Sequence, residues 1–560
     1  MELNGITRLI REEGVSEYLL REEARALKAL EEWELREEIF WKKKARIEWL
    51  QEGDKNTAFF FNSVKARQHG NAISSLVTNR GEVISSTQDI ANEAAHYFAS
   101  LFREDSQGDL DAEAQVLSCI PSLVSLEMKQ HLMSPITMEE LEKTIFQMKK
   151  GKAPSPDGFP VEFFQEFWDI IKLDLLTVVQ ESQKNKQILR ALNSTFLALI
   201  PKGDGADRLS QFRPISLCNV TYKIISKLIA ERLKKWLTLL ISEEQSGFVE
   251  GRQILDGVVV ATETIHSMAN SKDKAMFIKL DMAKAYDRVR WSFLQKVLGA
   301  FGFEEEWIGW VMSCVNSTSF SVLINGEHSN LFGASWGLRQ GDPLSPYLFL
   351  LLVEGLGWLI KRNVEGGFIQ GWQWGGGLPV QSHLQFVDDT TLMGMATIRE
   401  ASNMRRVLDV YLAASGQLIN EGKSSIFFFN TPPSIQQRIT HILRFESGSL
   451  PLIYLGIPIS TSRQSRDSWQ VILDKFKVKV NHWTHRCLSF AGRVQLLQSM
   501  VQALPLYRCM IQVAPVSFVK SLDSLARQFL WAGNLSSTKW SLIKWETVCS
   551  PKRFGGLGLR

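Results

Sequence analysis

The chain has 560 residues, with 64 Lys+Arg against 60 Asp+Glu and a formal net charge of +4. That length allows several domains and a large core, and 45% hydrophobic with 22% charged residues excludes general disorder. A charge this small neither demands nor forbids nucleic acid, so any basic surface must come from local clustering.

The six cysteines form no CxxC pair, which argues against a disulfide framework or a cysteine-rich zinc site and fits a reducing compartment. The first residues show no basic region followed by an apolar run, so no secretory signal is expected. Residues 11–50 are crowded with Arg, Glu and Lys. Through that charge Ala26, Leu30, Trp33 and Phe40 keep helical spacing, which predicts an amphipathic helix packing one stripe. From Trp41, WKKKARIEWLQEGDKNTAFF mixes basic and aromatic residues as a strand-gripping surface does. Ile73–Ser85 reads as two short strands around Asn79-Arg80-Gly81, and Glu104–Asp111 as an exposed acidic loop. Thr137 and Glu140 form a capping-box pattern for a helix running through Lys150, before the Pro- and Gly-rich loop GKAPSPDGF. Tyr222–Leu240 reads as a helix, Met276–Leu280 as a strand, and Ser319–Ile324 as a strand entering a hairpin at Asn325-Gly326. Leu344–Ile360 is apolar but shorter than the roughly 20 residues a membrane span needs. Glu354 interrupts it, so a buried helix is expected and no membrane partner. His383–Phe386 reads as another short strand, and the final hundred residues as helical patterns with basic residues.

The chemistry concentrates at two acidic strand ends. One is FIKLDMAKAYDRV, a strand ending at Asp281. The other is LQFVDDTTLM, an apolar strand running into Asp388 and Asp389. Adjacent carboxylates repel and lose hydration, an arrangement a fold tolerates best when cations neutralise it. With Asp281 on the neighbouring strand, three carboxylates would hold two Mg²⁺ ions about 3.5–4 Å apart, which suits phosphoryl transfer. A lone Asp-Asp pair is more often a turn or helix start, so the surrounding motifs decide. Gly422-Lys423-Ser424 is set aside as a phosphate loop, because five residues separate Gly416 from Gly422. His482, His485 and Cys487 are set aside as a metal cluster, having no further ligand pair at hand.

FIKLDMAKAYDRV, SWGLRQGDPLSPYLFLLLVE and LQFVDD, in that order, resemble the central motifs of reverse transcriptases. GKAPSPDGFPVEFF, QSGFVEGRQILD, SGQLINEGKSS and YLGIPI narrow the resemblance to non-LTR (LINE-type) retrotransposon polymerases, plant ones in particular. The likeness covers about Lys149 to Pro458, with weaker similarity on both sides. It implies that Asp281, Asp388 and Asp389 are the metal-binding catalytic acids. Tyr286 would stack beneath the incoming sugar and exclude a 2′-hydroxyl, while Lys202 and Arg213 would grip the triphosphate. Gln340, Gly341 and Lys423 would lie beside the nucleotide, and Tyr454, Leu455 and Gly456 would form a primer grip. Asp287 reads as a structural acid, and Asp342-Pro343 as turn chemistry. Lys149, Lys150 and Lys152, then Lys223, Lys227 and Lys234, then Lys475, Lys477, Lys479 and Arg486 with Trp483, would line a template-primer channel.

Two departures stand out. Val387 takes the place of a usual Ala, and a small, strand-loving residue is expected to be tolerated there. Ser155 replaces a common Gly, which is expected to strain that loop. The implied architecture is an α+β right-hand polymerase: helical fingers, a palm of antiparallel sheet and a helical thumb, with an N-terminal helical extension. Its expected boundaries are 1–70 for the extension, 71–136 for a small linking region, 137–270 for the fingers, 271–460 for the palm and 461–560 for the thumb. The implied activity is RNA-directed DNA synthesis with two Mg²⁺ ions, or Mn²⁺ in their place, using deoxynucleoside triphosphates, an RNA template and a DNA primer. A catalytically silent nucleic-acid-binding relic and an intron-maturase-like splicing cofactor are the alternatives. Endonuclease and zinc-binding segments are expected to be absent, so the chain reads as a fragment, a truncated copy or a segment of a polyprotein. The family points to the nucleus, with a cytoplasmic ribonucleoprotein as the other location.

Overall fold

Strand-period and helix-period segments alternate along Ile73–Arg463, one of two units into which the chain divides. The computed structural model describes all residues except 1, 48, 51–55, 105–107, 154, 376–377, 462–466, 483–486, 538, 542 and 560. The predicted first hairpin forms from β1 (Leu76–Val77) and β2 (Val83–Ile84). Helices follow, and Thr137 caps Met138–Phe146 by accepting from the Glu140 N–H, so this helix stops short of Lys150. Next come β3 (Ser194–Pro201) and β4 (Phe212–Cys218), then a helix over Val220–Lys234. The predicted single helix to Leu240 is broken at Lys235-Trp236 and resumes as Leu237–Leu240. Beyond it lie β5 (Ala275–Leu280), β6 (Ser319–Ile324), β7 (Glu327–His328) and β8 (Phe332–Gly333). After the Ser345–Glu365 helix come β9 (Trp372–Gln373), β10 (Val380–Gln381), β11 (His383–Phe386) and β12 (Asp389–Met395). The Ile398–Ser415 helix precedes β13 (Ser425–Phe429), and β14 (Glu446–Ser447), β15 (Leu452–Tyr454) and β16 (Ile457–Ile459) close the unit.

Among the described residues the strands build two five-stranded sheets and three two-stranded ribbons, β1-β2, β9-β10 and β15-β16. One has the order β4-β3-β6-β7, with β8 also on β6, and its β3 and β6 run parallel. Burial alternates along β3 and β4, and the inward residues Leu197, Leu199 and Phe212 pack with Ile90, Ala94 and Phe98 of the Thr87–Leu101 helix. The other sheet has the order β11-β12-β5-β13-β14, antiparallel except for its last pair. Its central strand β5 is buried almost throughout, so both faces are covered and its sequence AMFIKL is nearly all apolar. The first sheet draws strands from both sides of the expected boundary at residue 270.

The Ser345–Glu365 helix is buried, as expected for its apolar run, and no described helix is long and apolar enough to cross a membrane. Its Glu354 is sealed in, accepting the Ser242 N–H at 3.0 Å, and burial pushes its pKa up to about 7. The sign follows from linkage. A folded-state pKa above the usual 4.5 gives stability that is present below pH 4.5 and is lost as pH rises through 7. Glu354→Gln keeps the acceptor and removes the charge. The variant is therefore expected to gain stability over the parent between pH 5 and pH 8, by on the order of 3 kcal/mol, read from urea unfolding. A constant difference between variant and parent across that range would contradict this. His383, whose pKa burial lowers, acts in the opposite sense on acidification and is common to both proteins.

The second unit joins Met1–Ala72 to Gln464–Arg560 and is helical. Its core brings Ala45, Phe59, Phe60 and Val64 against Phe476, Val480, Leu496, Phe529 and Leu530. Buried Asn56 links the two stretches, its N–H donating to Glu38 and its Oδ1 accepting the Ser489 N–H. The expected amphipathic helix forms as Glu17–Ala45, but the stripe chosen for packing is outward: Leu30, Trp33 and Phe40 are exposed. Phe59 and Phe60, read as part of a strand-gripping surface, are core residues instead. Trp483, His485 and Arg486 lie outside the described residues, as do Glu48 and Gln51 to Lys55 of the basic-aromatic segment.

Candidate active site

β12 runs antiparallel to β5 with Thr390 opposite Leu280, and one step along that register sets Asp389 opposite Asp281 at the strand ends. β11 and β12 form a hairpin closed by the Phe386–Asp389 pair, so Val387 and Asp388 are a two-residue turn at the same corner. The three acids predicted from sequence thus share one end of one sheet. Asp388 is exposed at the turn tip, and Asp281 and Asp389 are half-buried. Asp281 is fixed through its backbone, its N–H donating to Ser424 Oγ and its carbonyl accepting the Asn420 N–H at 2.7 Å. Desolvation in this corner raises the pKa of Asp388, with Asp281 adding to it. Desolvation likewise raises Asp389, with Asp388 and Asp281 adding and Lys279 opposing. Among the described residues no three His, Cys, Asp or Glu side chains are gathered as a metal cluster.

Val387 adopts φ +59°, a left-handed conformation, so its strand preference is not what the site uses. A β-branched residue there is strained, and the sequence offers no Gly or Asn to announce the turn.

A cleft of about 700 Å³ opens beside this corner. Asp281 and Asp388 line it together with Lys202, Arg213, Tyr286, Gln340, Gly341 and Lys423, so the structure brings all the predicted nucleotide-binding residues to one cavity. Lys202 follows β3, Arg213 lies on β4, and the two strands pair here. Desolvation lowers the Lys202 pKa, and Lys284, Lys423 and Arg213 push it further down against Asp287. The cleft is therefore lined by both cations (Lys202, Arg213, Lys284 and Lys423) and carboxylates (Asp281, Asp287 and Asp388). Tyr286 stacks on Phe349 with centroids 4.7 Å apart and planes 14° apart. Gly341 has φ +108°, and a Cβ there would meet Ser216 O at 3.0 Å, so glycine lets this turn lie against β4.

Beneath the turn, Arg339 is buried and donates to Asp342 at 2.8 Å and to Cys314 O at 2.9 Å, with its guanidinium 4.1 Å from the Tyr222 ring. Asp342 also accepts from Tyr222 Oη and from the Leu344 N–H, which makes it structural, as its turn reading implied. Arg339→Leu would leave Asp342 buried without its ion partner. The expected cost is about 3–5 kcal/mol, visible as a lowered urea midpoint. A change under about 1 kcal/mol would contradict the pairing argument.

Asp287 is buried, accepts from Gln340 Nε2 at 3.3 Å, and is pushed up to about 6 by that burial against the pull of Lys284. Tyr454, Leu455 and Gly456 sit elsewhere, on the β15–β16 hairpin, where Leu455 and Gly456 both take positive φ as a tight turn. Lys279 of β5 donates to Ile453 O at 2.9 Å and ties that hairpin to the sheet that carries the acids. Ser155, expected to strain its loop, follows residue 154, which lies outside the described residues, and its hydroxyl donates to Asp157 at 2.7 Å. Of the basic patches, Lys150, Lys234 and Lys477 are paired with Glu166, Glu250 and Asp474. Sequence reasoning assigned no role to Gln245, Phe248 or Asn420. The latter two line the cleft, and Phe248 stands exposed at φ +54°. The QSGF string was the available signal for Gln245 and Phe248.

Residues 200–459, which carry both sheets' strands from the end of β3 through β16, match the family model described as reverse transcriptase (RNA-dependent DNA polymerase). The chain is 27% identical over 92% of its length to a Xenopus laevis protein named transposon TX1 uncharacterized 149 kDa protein, covering 39% of it. It is 21% identical over 88% of its length to the retrovirus-related Pol polyprotein of the type-2 retrotransposable element R2DM of Drosophila melanogaster, covering 44%. An uncharacterized mitochondrial protein of Arabidopsis thaliana is 34% identical, and the chain covers 90% of it. The chain spans less than half the length of both transposon relatives. A cleft lined by acids and cations, inside the matched segment and with retrotransposon polyproteins aligned along nearly the whole chain, leads to one family: the chain belongs to the LINE-type, non-LTR retrotransposon reverse transcriptases.

Proposed function

We propose that the chain is an RNA-directed DNA polymerase that extends a DNA primer on an RNA template from deoxynucleoside triphosphates. The observation that carries this reading is the single cleft lined by Asp281 and Asp388 together with Lys202, Arg213 and Lys423. A polyanionic triphosphate with its divalent cation fits a site lined by both carboxylates and cations. The donor set suits Mg²⁺, which prefers hard oxygen ligands, takes one or two carboxylates and leaves its other positions to water and phosphate. Raised carboxylate pKa values mark a corner where cation binding relieves repulsion. Two ions, when bound, supply charge stabilisation to the attacking 3′-hydroxyl and the departing pyrophosphate.

In this reading Asp281, Asp388 and Asp389 hold the cations. Lys202 and Arg213 hold the phosphates, as a point charge and a bidentate fork respectively. Tyr286 sits under the sugar, Gln340, Gly341 and Lys423 border the nucleotide, and the Tyr454–Gly456 turn grips the primer end. The β5-centred sheet serves as the palm, the β3–β4 region as fingers and the C-terminal helices as a thumb. Intact acids and cations favour turnover over a silent relic or a splicing cofactor. Chromosomal DNA as the source of the primer end would place the reaction in the nucleus. The test is primer extension on RNA by the purified chain with Mg²⁺, beside Asp388→Asn. Extension by the parent alone supports the proposal, and a parent that binds primer-template without extending it overturns it.

A further inference from the structure

Behind the strained turn a second segment of chain reaches in from outside the sheet. Residues 244–247 lie along β11, where the Gln385 N–H donates to Glu244 O at 2.8 Å and the Ser246 N–H donates to Gln385 O at 3.0 Å. This bridge brings the buried Gln245 side chain to the backbone of Val387. Gln245 Oε1 accepts the Val387 N–H at 2.9 Å and the Gly247 N–H at 3.0 Å, and its Nε2 points at Val387 O from 3.5 Å.

We propose that Gln245 is a positioning residue that holds the Val387–Asp388 turn in its working conformation, an inference that rests on the polymerase reading above. Three independent features support it. Val387 is buried, and the first residue of a two-residue turn has no ladder partner for its N–H, so a buried donor needs an acceptor from elsewhere. Its φ of +59° is unfavourable for a β-branched residue and persists only when neighbours over-determine it. Gly247 lets the clamp close, because a Cβ there would stand 2.5 Å from Val387 Cγ2 and 3.0 Å from Val387 N. The clamp is itself anchored, since Arg252 donates to Gln245 O at 2.6 Å and to Ile241 O at 2.9 Å. Asp388 and Asp389 follow directly, so a turn that relaxes moves the carboxylates off the corner they share with Asp281.

The test uses the full chain carrying Gln245→Met, which keeps length and apolar bulk but neither hydrogen bond. Single-turnover extension is expected to slow about tenfold, with KM for the deoxynucleotide unchanged and the Mg²⁺ concentration for half-maximal rate raised. Hydrogen exchange, which needs no activity, is expected to speed up at least about tenfold in the peptide spanning the turn and not in peptides from β5 or β13. Val387→Gly adopts the same φ without strain. In that background Gln245→Met is expected to cost no more than about threefold. A parent-like rate and parent-like exchange in Gln245→Met would overturn the proposal. So would a loss that comes with a lowered midpoint, spreads to every sheet peptide and is not relieved by Val387→Gly. If the parent does not extend primers at all, the polymerase reading fails, and the exchange result alone decides whether Gln245 holds the turn.

Discussion

Asp388→Asn is expected to slow primer extension at least about 10³-fold while the protein stays folded. Asp388 is the most exposed of the three acids and lines the cleft at the turn tip, so its removal empties no core and breaks no strand pairing. What it removes is charge at the place where charge is needed. The same substitution should help the metal-free protein. The folded-state pKa values of Asp388 and Asp389 are raised, so the ionised corner opposes folding once pH exceeds them, and asparagine relieves part of that repulsion. Without Mg²⁺ the unfolding midpoint of the variant should therefore equal or exceed that of the parent, and the stabilisation that Mg²⁺ gives the parent should shrink. Single-turnover rates and thermal melts with and without Mg²⁺ read both effects. A loss of activity below tenfold would refute the assignment of Asp388 to the reacting centre.

Tyr286→Val is expected to raise use of ribonucleotides relative to deoxynucleotides by about 10²-fold. A ring excludes a hydroxyl only if it cannot yield. Tyr286 is backed by the fully buried Phe349 in a near-parallel stack, and its carbonyl accepts the Leu338 N–H at 2.7 Å. Desolvation raises the pKa of its hydroxyl, and the charge of Asp388 raises it further, so the group stays neutral beside the acids. Valine removes the ring and leaves the backbone undisturbed, so discrimination should fall far more than deoxynucleotide turnover. The ratio of kcat/KM for the two nucleotide classes measures it. An unchanged ratio would make Tyr286 an ordinary core aromatic.

Particular residues show how far the sequence carried. In the sheet that carries the acids, β5 and β11 were legible as short apolar runs, whereas β12, β13 and β14 were not read as strands; the Ser319–Ile324 strand was legible because Asn325-Gly326 follows it. The cleft residues were legible through short motifs, which keep residue order even when the fold brings them together from distant strands. The Val387 turn was not legible, because the left-handed residue is neither Gly nor Asn and its conformation is imposed from outside. Gln245 was missed for the same reason: its partner lies 142 positions along the chain, and the bond runs from side chain to backbone. The outward stripe of Glu17–Ala45 shows another limit. Helical spacing identified the helix, whereas the core took Leu19 and Ala45 and left Leu30 and Trp33 exposed. Nor could local pattern show that the first seventy and last hundred residues make one helical unit, since their contacts are as remote as Asn56 with Ser489.

The parallel pairing of β3 with β6 sets an order of events during synthesis. Ser194 waits for Ser319, and β4, β5 and five α-helices are made in between. Until β6 leaves the ribosome, β3 has β4 on one side and an open edge on the other, which is the kind of unpaired edge that invites association with other chains. A product truncated near residue 270 would keep that edge permanently and lack β5 as well. Such a piece is expected to aggregate rather than fold, so this chain would assemble late, after most of its central segment has been translated.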